Sequence, residues 1–448
     1  MSRAVRLSAL AVVAGLLLAV PALTSPAAAS TSTVAKDSAE RARTCLGHKV
    51  TLVGRKNRRL TGTPHRDVIL TNGAGTVLAG GGDDLICVNK RSNQRVSAGP
   101  GDDRVVVTGK GRFPGRYELG QGRDRFQGGS LRDVVWADTE EYVLRPPADA
   151  KDQKDVIRTG AGRDEVHTGS VRQRLRDHIH TGGGRDAIYA TNPWQLPGAV
   201  LDGGGASDLL WLSKLADELP LAKWKLDNRR QVLRQDNHQV LFWFRLERFH
   251  LDFQRRSAIF LGSGRAEYFS VHPGERVNAG GGNDEIDFFE TGEDGTAPLT
   301  GGPGRDRLTY RRTGAVVTGD LAADRISDEG GLAQPIPGIE DLWIHANQVH
   351  LIGDGGPNDL GMAYTCSGTV RAGAGNDVVH TQTPVDDEEI CAGPSRFEQY
   401  GGAGDDRLVG AFAADELLNG GPGHDRANGK GGHDVCVEVE VARHCTTG

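Results

Sequence analysis

The chain has 448 residues, a formal net charge of −6, 63 glycines and only 6% aromatic residues. The mildly acidic balance argues against a general nucleic-acid binder, because binding phosphates requires a surplus of lysine and arginine. Glycine is about twice as frequent as usual but has no Gly-X-Y period, which excludes collagen and favours one long repetitive domain.

The first 29 residues have the pattern of a secretory signal peptide. Arg3 and Arg6 precede an apolar run at 7–20, and alanines at 27–29 provide a small-residue cleavage site. The run is shorter than the roughly 20 residues that a membrane-spanning helix needs, and no later stretch is apolar enough. We therefore expect a secreted, extracellular protein without a membrane span.

A Gly-x-Gly-x-Asp pattern then recurs ten times. An apolar residue stands two positions after each aspartate, as expected where a turn leads into a strand that contributes to a core. Many successive aspartates are 19 to 22 residues apart, and some steps of nine residues also occur. This spacing predicts a narrow parallel β-solenoid with two short strands and two turns per coil. The turn motif is preserved more regularly along one edge of the solenoid than along the other. The aspartates are Asp84, Asp103, Asp124, Asp164, Asp186, Asp284, Asp306, Asp377, Asp406 and Asp425.

These stretches resemble the hemolysin-type (RTX) calcium-binding nonapeptide G-G-x-G-x-D-x-U-x. The best examples are "GGPGRDRLTY" (301–310), "GGAGDDRLVG" (401–410) and "GGPGHDRANG" (420–429). The resemblance implies an all-β, right-handed parallel β-solenoid of β-roll type. It also implies that the ten aspartates and nearby turn carbonyls bind Ca²⁺. Many members of that group have few cysteines and a C-terminal export signal, so this chain resembles the secreted members that carry an N-terminal signal peptide.

The composition of the turn suits this chemistry. Glycine adopts positive φ without steric cost, so alternating glycines let the backbone curl and aim carbonyl oxygens inward. Calcium takes about six to eight oxygen ligands, and one turn supplies only half of them, so stacked turns are expected to share an ion. The competing hypothesis is a structural turn in which each aspartate caps its own backbone.

The ten turns are not expected to bind equally. Five have an acid or amide before the aspartate, which should favour a cation: Asp83, Asp102, Asn283, Asn376 and Asp405. Five have a base there, which should point to solvent and weaken binding: Arg123, Arg163, Arg185, Arg305 and His424. Two related turns, with Ala206 or Pro357 in place of a glycine, are expected to hold no ion.

Six cysteines follow the signal region, an even number typical of disulfides in an exported chain. A zinc site is the alternative, but the close C-x-x-C spacing is absent. Near-neighbour pairing suggests disulfides that cap the solenoid, namely Cys45–Cys87, Cys366–Cys391 and Cys436–Cys445.

Residues 30–44 are expected to be a linker. A segment at 209–272 without the turn motif separates two calcium-repeat regions, 45–208 and 273–448. Within it, 224–253 is predicted to form two or three strands with a turn at Asp236 and Asn237, and 213–219 one short helix. Its aromatic residues form either a local core, which we favour, or a carbohydrate platform: Trp224, Phe242, Trp243, Phe244, Phe249 and Phe253.

The sequence thus predicts an extracellular calcium-binding protein with a structural or interaction role and calcium-dependent folding. Its expected partners are calcium and an extracellular polysaccharide or cell surface. One alternative is a polysaccharide lyase or epimerase on the same scaffold, although the acid pairs lie in turns where calcium ligation explains them. A second is a glycan-binding surface module. The H-E-x-x-H motif is absent, which excludes the metalloprotease branch of the group.

Overall fold

The computed structural model describes residues 43–447 except 90–93, 110–112, 139–153, 170–175, 193–197, 214–222, 253–257, 290–294, 313, 384–390, 392–394 and 413. All regular structure in these residues is β-strand. The predicted signal peptide, and all but Ser213 of the helix predicted at 213–219, lie outside the described residues.

In the described part of the chain, no helix has the length and apolar character needed to cross a membrane.

Most consecutive strands alternate between two walls of mainly parallel strands, as expected for a β-solenoid. One wall, the long wall, is a single parallel sheet. In spatial order it contains β4 (Arg59–Thr61), β6 (Thr76–Leu78), β8 (Gln94–Ser97), β10 (Gly115–Glu118), β12 (Asp133–Trp136), β14 (Glu165–Gly169), β16 (Ala187–Thr191), β18 (Leu209–Ser213), β22 (Arg248–Asp252), β24 (Tyr268–Val271), β26 (Glu285–Phe289), β28 (Arg307–Arg311), β32 (Asp341–His345), β34 (Asp359–Ala363), β36 (Val378–Gln382), β38 (Arg407–Val409), β40 (Arg426–Asn428) and β42 (Val441–Arg443).

The other wall, the split wall, consists of a 14-stranded and a 9-stranded sheet. The 14-stranded sheet contains β3 (Leu52–Val53), β5 (Val68–Leu70), β7 (Leu85–Val88), β9 (Arg104–Val107), β11 (Arg125–Gln127), β13 (Val156–Arg158), β15 (His178–Gly183), β17 (Val200–Gly205), β21 (His238–Phe244), β20 (Val232–Gln235), β19 (Trp224–Asp227), β23 (Ala258–Leu261), β25 (Arg276–Asn278) and β27 (Leu299–Thr300). The 9-stranded sheet contains β31 (Ala333–Pro335), β30 (Arg325–Asp328), β29 (Val316–Asp320), β33 (Gln348–Ile352), β35 (Ser367–Ala374), β37 (Arg396–Ala403), β39 (Asp415–Asn419), β41 (Val435–Val437) and β43 (Thr446–Thr447).

Side chains that point inward from the two walls form one continuous apolar core. Strands in successive coils are in register, so like positions stack: Ile86 lies beside Val105, and Val105 beside Phe126. The ten apolar residues predicted to point inward are each at most 3% exposed: Ile86, Val105, Phe126, Val166, Ile188, Ile286, Leu308, Val379, Leu408 and Ala427. Burying one large aliphatic side chain contributes about 1.5–3 kcal/mol, so these rows hold the walls together.

Two antiparallel insertions widen the split wall and begin in the same way. Only the second divides the wall, because β27 ends the 14-stranded sheet and β31 ends the 9-stranded one. In the first, β19 lies beside β23 of the following coil, and the chain returns through β20 to β21, beside β17 of the preceding coil. In the second, β29 lies beside β33 of the following coil, and β30 and β31 return in the same sense. Each insertion therefore adds two strands to this wall alone.

Residues 224–253 contain four strands, β19 to β22, where two or three were predicted, and the predicted turn at Asp236 and Asn237 is present, with φ of 48° and 70°. Trp224, Trp243 and Phe249 are at most 2% exposed, which confirms the local-core interpretation for these three residues. Phe242 and Phe244 instead point outward and are 38% and 46% exposed. Phe253 lies outside the described residues.

All three predicted disulfides are present. Cys45–Cys87 ties the antiparallel hairpin of β1 (Thr44–Cys45) and β2 (His48–Lys49) to β7. Cys436–Cys445 joins β41 to the segment between the last two strands. The first and last coils are thus each fastened covalently, at ends where a solenoid would otherwise expose unpaired strands.

Candidate metal centre

The ten predicted aspartates each occupy the position directly before a strand, but they divide between two edges. We call the edge where the chain enters the split wall the S edge, and the edge where it enters the long wall the L edge. Asp84, Asp103 and Asp124 lie on the S edge, and the other seven lie on the L edge. Within each part of the chain the Gly-x-Gly-x-Asp motif therefore follows one edge, as predicted, but that edge changes between Asp124 and Asp164.

A hydrogen-bonded ladder connects the aspartates along each edge. In all ten, Oδ1 accepts the backbone N–H of the equivalent residue one coil earlier, at 2.7–2.8 Å. For example, Asp377 N–H donates to Asp406 and Asp406 N–H donates to Asp425. Each carboxylate is thereby fixed in one orientation, and acids of neighbouring coils stand next to each other.

Many members of these ladders are not among the predicted ligands, although several lie at the nine-residue steps. Their shared signal is an acid or amide directly before a strand or at its first or second residue, which the Gly-x-Gly-x-Asp pattern does not require. They are Asp67, Asp133, Asp155, Asp177, Asp208, Glu247, Glu267, Glu340, Asn358, Glu416, Asp434 and Glu440.

The second side-chain oxygen separates the turns into two classes. In what we call closed turns, this oxygen accepts a backbone N–H from its own turn, four or five residues earlier. The donors are Thr63 to Asp67 at 2.8 Å and Ser263 to Glu267 at 2.6 Å, with similar bonds at Asp133 and Glu416. The single side-chain oxygen of Asn358 accepts the equivalent bond, and the other oxygen of Glu416, Oε1, is buried and makes no hydrogen bond. Own-backbone capping, the alternative proposed for the repeat, thus occurs in these turns.

In open turns the second oxygen, Oδ2, is buried and makes no hydrogen bond. Within the described residues this holds for Asp84, Asp103, Asp124, Asp186, Asp208, Asp284, Asp306, Asp377, Asp406, Asp425 and Asp434. The turn of Asp186 is open but begins with Thr181 in place of glycine. Burial raises the pKa of this carboxyl, and the backbone N–H of Asp164 and the Thr181 hydroxyl oppose that effect. Nine of the ten predicted aspartates are therefore in open turns.

The glycines explain why these turns are open. In the turn of Asp406, Gly402 and Gly404 have φ of 106° and 139°, a region that favours glycine. Gly402 N–H consequently donates to the carbonyl of Gly420 in the next coil, at 2.9 Å. Gly401 leaves room for the carboxylate, because a Cβ there would lie 2.3 Å from Asp406 Oδ2. The unbonded oxygen thus sits in a cradle that a side chain would fill.

The two turns expected to hold no ion fall into different classes. The turn with Pro357 is closed, because Asn358 accepts the N–H of Asp354 at 3.0 Å. The turn with Ala206 keeps the open form, with Asp208 Oδ2 unbonded and Ala206 at a φ of 92°. A left-handed conformation costs a residue with a Cβ about 1–2 kcal/mol, so this turn is strained.

Burial dominates the electrostatics of the open turns. It raises the pKa of Asp84, Asp306 and Asp377 to about 6, and that of Asp103 and Asp284 to about 7. The ladder hydrogen bond lowers these pKa values, whereas repulsion from neighbouring acids raises them further. In the absence of a cation the ionised carboxylates are therefore unfavourable, and a cation beside them would reverse that effect.

The residue before each aspartate forms a second, exposed ladder. Asp102 N–H donates to Asp83 at 2.9 Å, and Asp405 N–H donates to Asn376 at 3.0 Å. The five bases predicted to point to solvent are exposed: Arg123, Arg163, Arg185, Arg305 and His424. Arg305 in addition forms an ion pair with Asp341 at 2.9 Å.

Acids also occur outside the turns, on the outer face of the long wall. Three of them lie within four successive strands, and each is paired with an arginine: Asp287 with Arg311, Asp341 with Arg305, and Asp359 with Arg307. The hydroxyl of Tyr268 further donates to Asp287 at 3.1 Å. These carboxylates are engaged by fixed cations, so ion pairing accounts for their presence.

The same face carries an aromatic row that the sequence did not reveal. Trp136, His167, Tyr189, Trp211 and His250 occupy equivalent positions in five successive strands. Their ring centroids are 5.0, 4.7, 5.7 and 3.7 Å apart in that order. The rings cover one another's faces, so this row stabilises the stack of coils and presents ring edges to solvent.

Among the described residues, no three or more His, Cys, Asp or Glu side chains converge on one point as a metal cluster. A cation at the open turns would therefore need backbone carbonyls beside the Oδ2 atoms of stacked coils. That is a donor set of oxygens only, which matches calcium and not zinc.

Comparison with known proteins gave no matching family model and no matching curated protein.

Proposed function

We propose that the chain is a secreted, calcium-binding β-solenoid with a structural or interaction role, in which calcium ions stabilise the stacked turns. The single observation that carries this proposal is the repeated, buried Oδ2 atom without a hydrogen bond, as at Asp103, Asp284 and Asp406. An unpaired buried charge costs several kcal/mol, so its repetition in coil after coil calls for a cation.

Calcium fits these turns better than other common metals. It accepts carboxylate and carbonyl oxygens in flexible geometry, whereas magnesium demands a tight octahedron and keeps its waters. The likeness to the RTX nonapeptide supports the same ion and, with it, a right-handed β-roll. Three disulfides support the extracellular setting, where millimolar calcium is available.

The residues of the turn have separate roles in this proposal. Oδ1 is held by the ladder hydrogen bond, so the carboxylate is already oriented before an ion arrives, and little freedom is lost on binding. Oδ2 carries the charge that the ion neutralises. The glycines provide carbonyls and the space for both. The ion, when bound, cancels the repulsion between acids of adjacent coils.

The proposal is tested by calcium titration of the purified protein, with calorimetry and equilibrium dialysis. We expect several ions per chain, and we expect Asp406→Ala to weaken binding more than Asp186→Ala. Asp406 follows Asp405 in an open turn, while Asp186 follows Arg185 in the turn that begins with Thr181. No binding at millimolar calcium would refute the proposal, and equal losses in both variants would refute its ranking of the turns.

A further inference from the structure

Two shallow grooves on opposite walls of the solenoid share one arrangement of outward side chains. The first, of about 360 Å³, crosses β9, β11 and β13, and the second, of about 390 Å³, crosses β38, β40 and β42. In each, three adjacent strands present two outward positions apiece. The outward pairs are Arg104 and Val106, Arg125 and Gln127, then Val156 and Arg158 in the first groove, and Arg407 and Val409, Arg426 and Asn428, then Val441 and Arg443 in the second.

We call each set of six outward side chains, two on each of three strands, a grid. The two grids correspond position by position. Two arginines stand in register on neighbouring strands, and a valine follows them in the same row. In the adjacent row a valine, an amide side chain and a third arginine follow one another. Arg104, Arg125, Arg407 and Arg426 each directly follow a repeat aspartate, so the turn repeat places these four, whereas Arg158 and Arg443 come from strands outside that motif.

In the part of the chain that the structure describes, the arginines of these grooves have no acid partner, in contrast to several arginines on or beside the walls. Those that pair with acids include Arg95 with Glu118, Arg132 with Glu165, Arg245 with Asp202, Arg305 with Asp341, Arg307 with Asp359 and Arg311 with Asp287. Within the described residues, no acid pairs with the six groove arginines, which are all exposed. Like charges directly opposite on neighbouring strands destabilise a sheet. The six arginines therefore leave two positively charged surfaces that suit an anionic ligand.

We propose that each groove binds a segment of an acidic polysaccharide through its uronate carboxylates. Guanidinium groups pair bidentately with planar carboxylates, and neighbouring strands repeat every about 4.8 Å, close to the length of one sugar ring. Val156 in the first groove and Val441 in the second provide apolar surface for the ring, and Gln127 and Asn428 provide hydrogen-bonding groups. No exposed aromatic side chain lines either groove, so the stacking platform typical of single-stranded nucleic-acid sites is missing.

The two grooves face away from each other, on opposite walls of the solenoid. Because they lie on opposite walls, one molecule holds two separate polysaccharide chains and cross-links them. This inference rests on the extracellular interaction role proposed above, but on none of the calcium ligands. The first groove borders the S-edge turn of Asp124, so the tests below are made at saturating calcium.

The experiment is calorimetric titration with galacturonate oligomers at constant calcium, followed by light scattering with polygalacturonate. We expect two oligomers per chain, one in Arg104→Gln/Arg125→Gln, one in Arg407→Gln/Arg426→Gln, and none in the fourfold variant. Only the unmodified protein should cross-link the polymer, and added salt should weaken binding. A control with equal charge loss at exposed arginines elsewhere, Arg66→Gln/Arg276→Gln, should still bind two.

Three results would overturn the inference. They are unchanged stoichiometry in the fourfold variant, equal binding of methyl-esterified oligomers, and tighter binding of sulfated oligosaccharides or single-stranded DNA than of uronate. Circular dichroism of each variant with calcium and with chelator shows whether the turns still respond to the ion. A failure of the grooves is thereby distinguished from a failure of the proposed calcium sites.

Discussion

Replacing Asp406 by asparagine is expected to have opposite effects on stability with and without calcium. The asparagine Oδ1 keeps the 2.8 Å hydrogen bond from Asp377 N–H, so the ladder survives. What is lost is the charge on the unbonded oxygen. With calcium present the variant lacks a ligand. Without calcium it lacks a buried carboxylate whose pKa is raised by burial and by the neighbouring acid Asp425.

The size of each effect is estimated separately for the protein with calcium and in chelator. An extracellular site with Kd of about 10⁻⁴–10⁻³ M contributes about 0.4–1.4 kcal/mol at about 1 mM calcium, and Asp406 lies between two sites, so the loss is about 1–3 kcal/mol. In chelator, two charges about 4.8 Å apart repel by about 3 kcal/mol at an effective dielectric near 20. Removing one charge while burying an unpaired amide should leave a gain of about 1 kcal/mol.

The matched control is Asp67→Asn, at a closed turn of the S-edge ladder. Both oxygens of Asp67 already accept hydrogen bonds, from Thr51 at 3.1 Å and Thr63 at 2.8 Å. This variant should therefore be destabilised equally with and without calcium. The assay is urea unfolding monitored by circular dichroism, at 1 mM calcium and in chelator. If Asp406→Asn behaved like Asp67→Asn, the distinction between open and closed turns would have no bearing on calcium.

Three further predictions concern strain, pH and the disulfides. Ala206→Gly should raise the free energy of unfolding in urea by about 1 kcal/mol, because alanine there is strained at a φ of 92°. An unchanged unfolding midpoint would show that Ala206 is not strained. In chelator, the melting temperature should rise as pH falls from about 8 to 5. Burial raises the pKa of Asp103 and Asp284 from 3.8 to about 7, so over this range the folded state binds protons that the unfolded chain has released. A melting temperature that falls as the pH is lowered would refute the raised pKa values. Cys45→Ser/Cys87→Ser should lower the free energy of unfolding by about 4 kcal/mol, given the separation of 42 residues. The variant should also expose the first coil to proteolysis. An unchanged cleavage pattern would show that other contacts hold this coil.

The features that the sequence predicts well are local. A glycine-aspartate turn followed by an inward apolar residue is contained within about nine residues, so Asp406 and Leu408 are found from the pattern alone. The cysteine pairs are likewise near neighbours in the chain. Such features need no knowledge of how one coil stacks on the next.

The features that the sequence hides depend on register between coils of unequal length. Trp136 and His167 are 31 residues apart, while His167 and Tyr189 are 22 apart, yet all three stack. Glu247 replaces an aspartate in the ladder after a three-stranded insertion, and its longer side chain masks the repeat. The change from S edge to L edge and the two arginine grids are invisible for the same reason.

The most direct test of the calcium account is far-UV circular dichroism with thermal melts in chelator, in millimolar calcium and in millimolar magnesium. We predict partial loss of β-structure and a lower melting temperature in chelator, full recovery with calcium, and no recovery with magnesium, because only calcium accepts the irregular oxygen set of stacked turns. Disulfides should keep the ends in register while the middle loosens. Identical spectra and melting temperatures in all three solutions would show that the turns are purely structural, and would contradict the account.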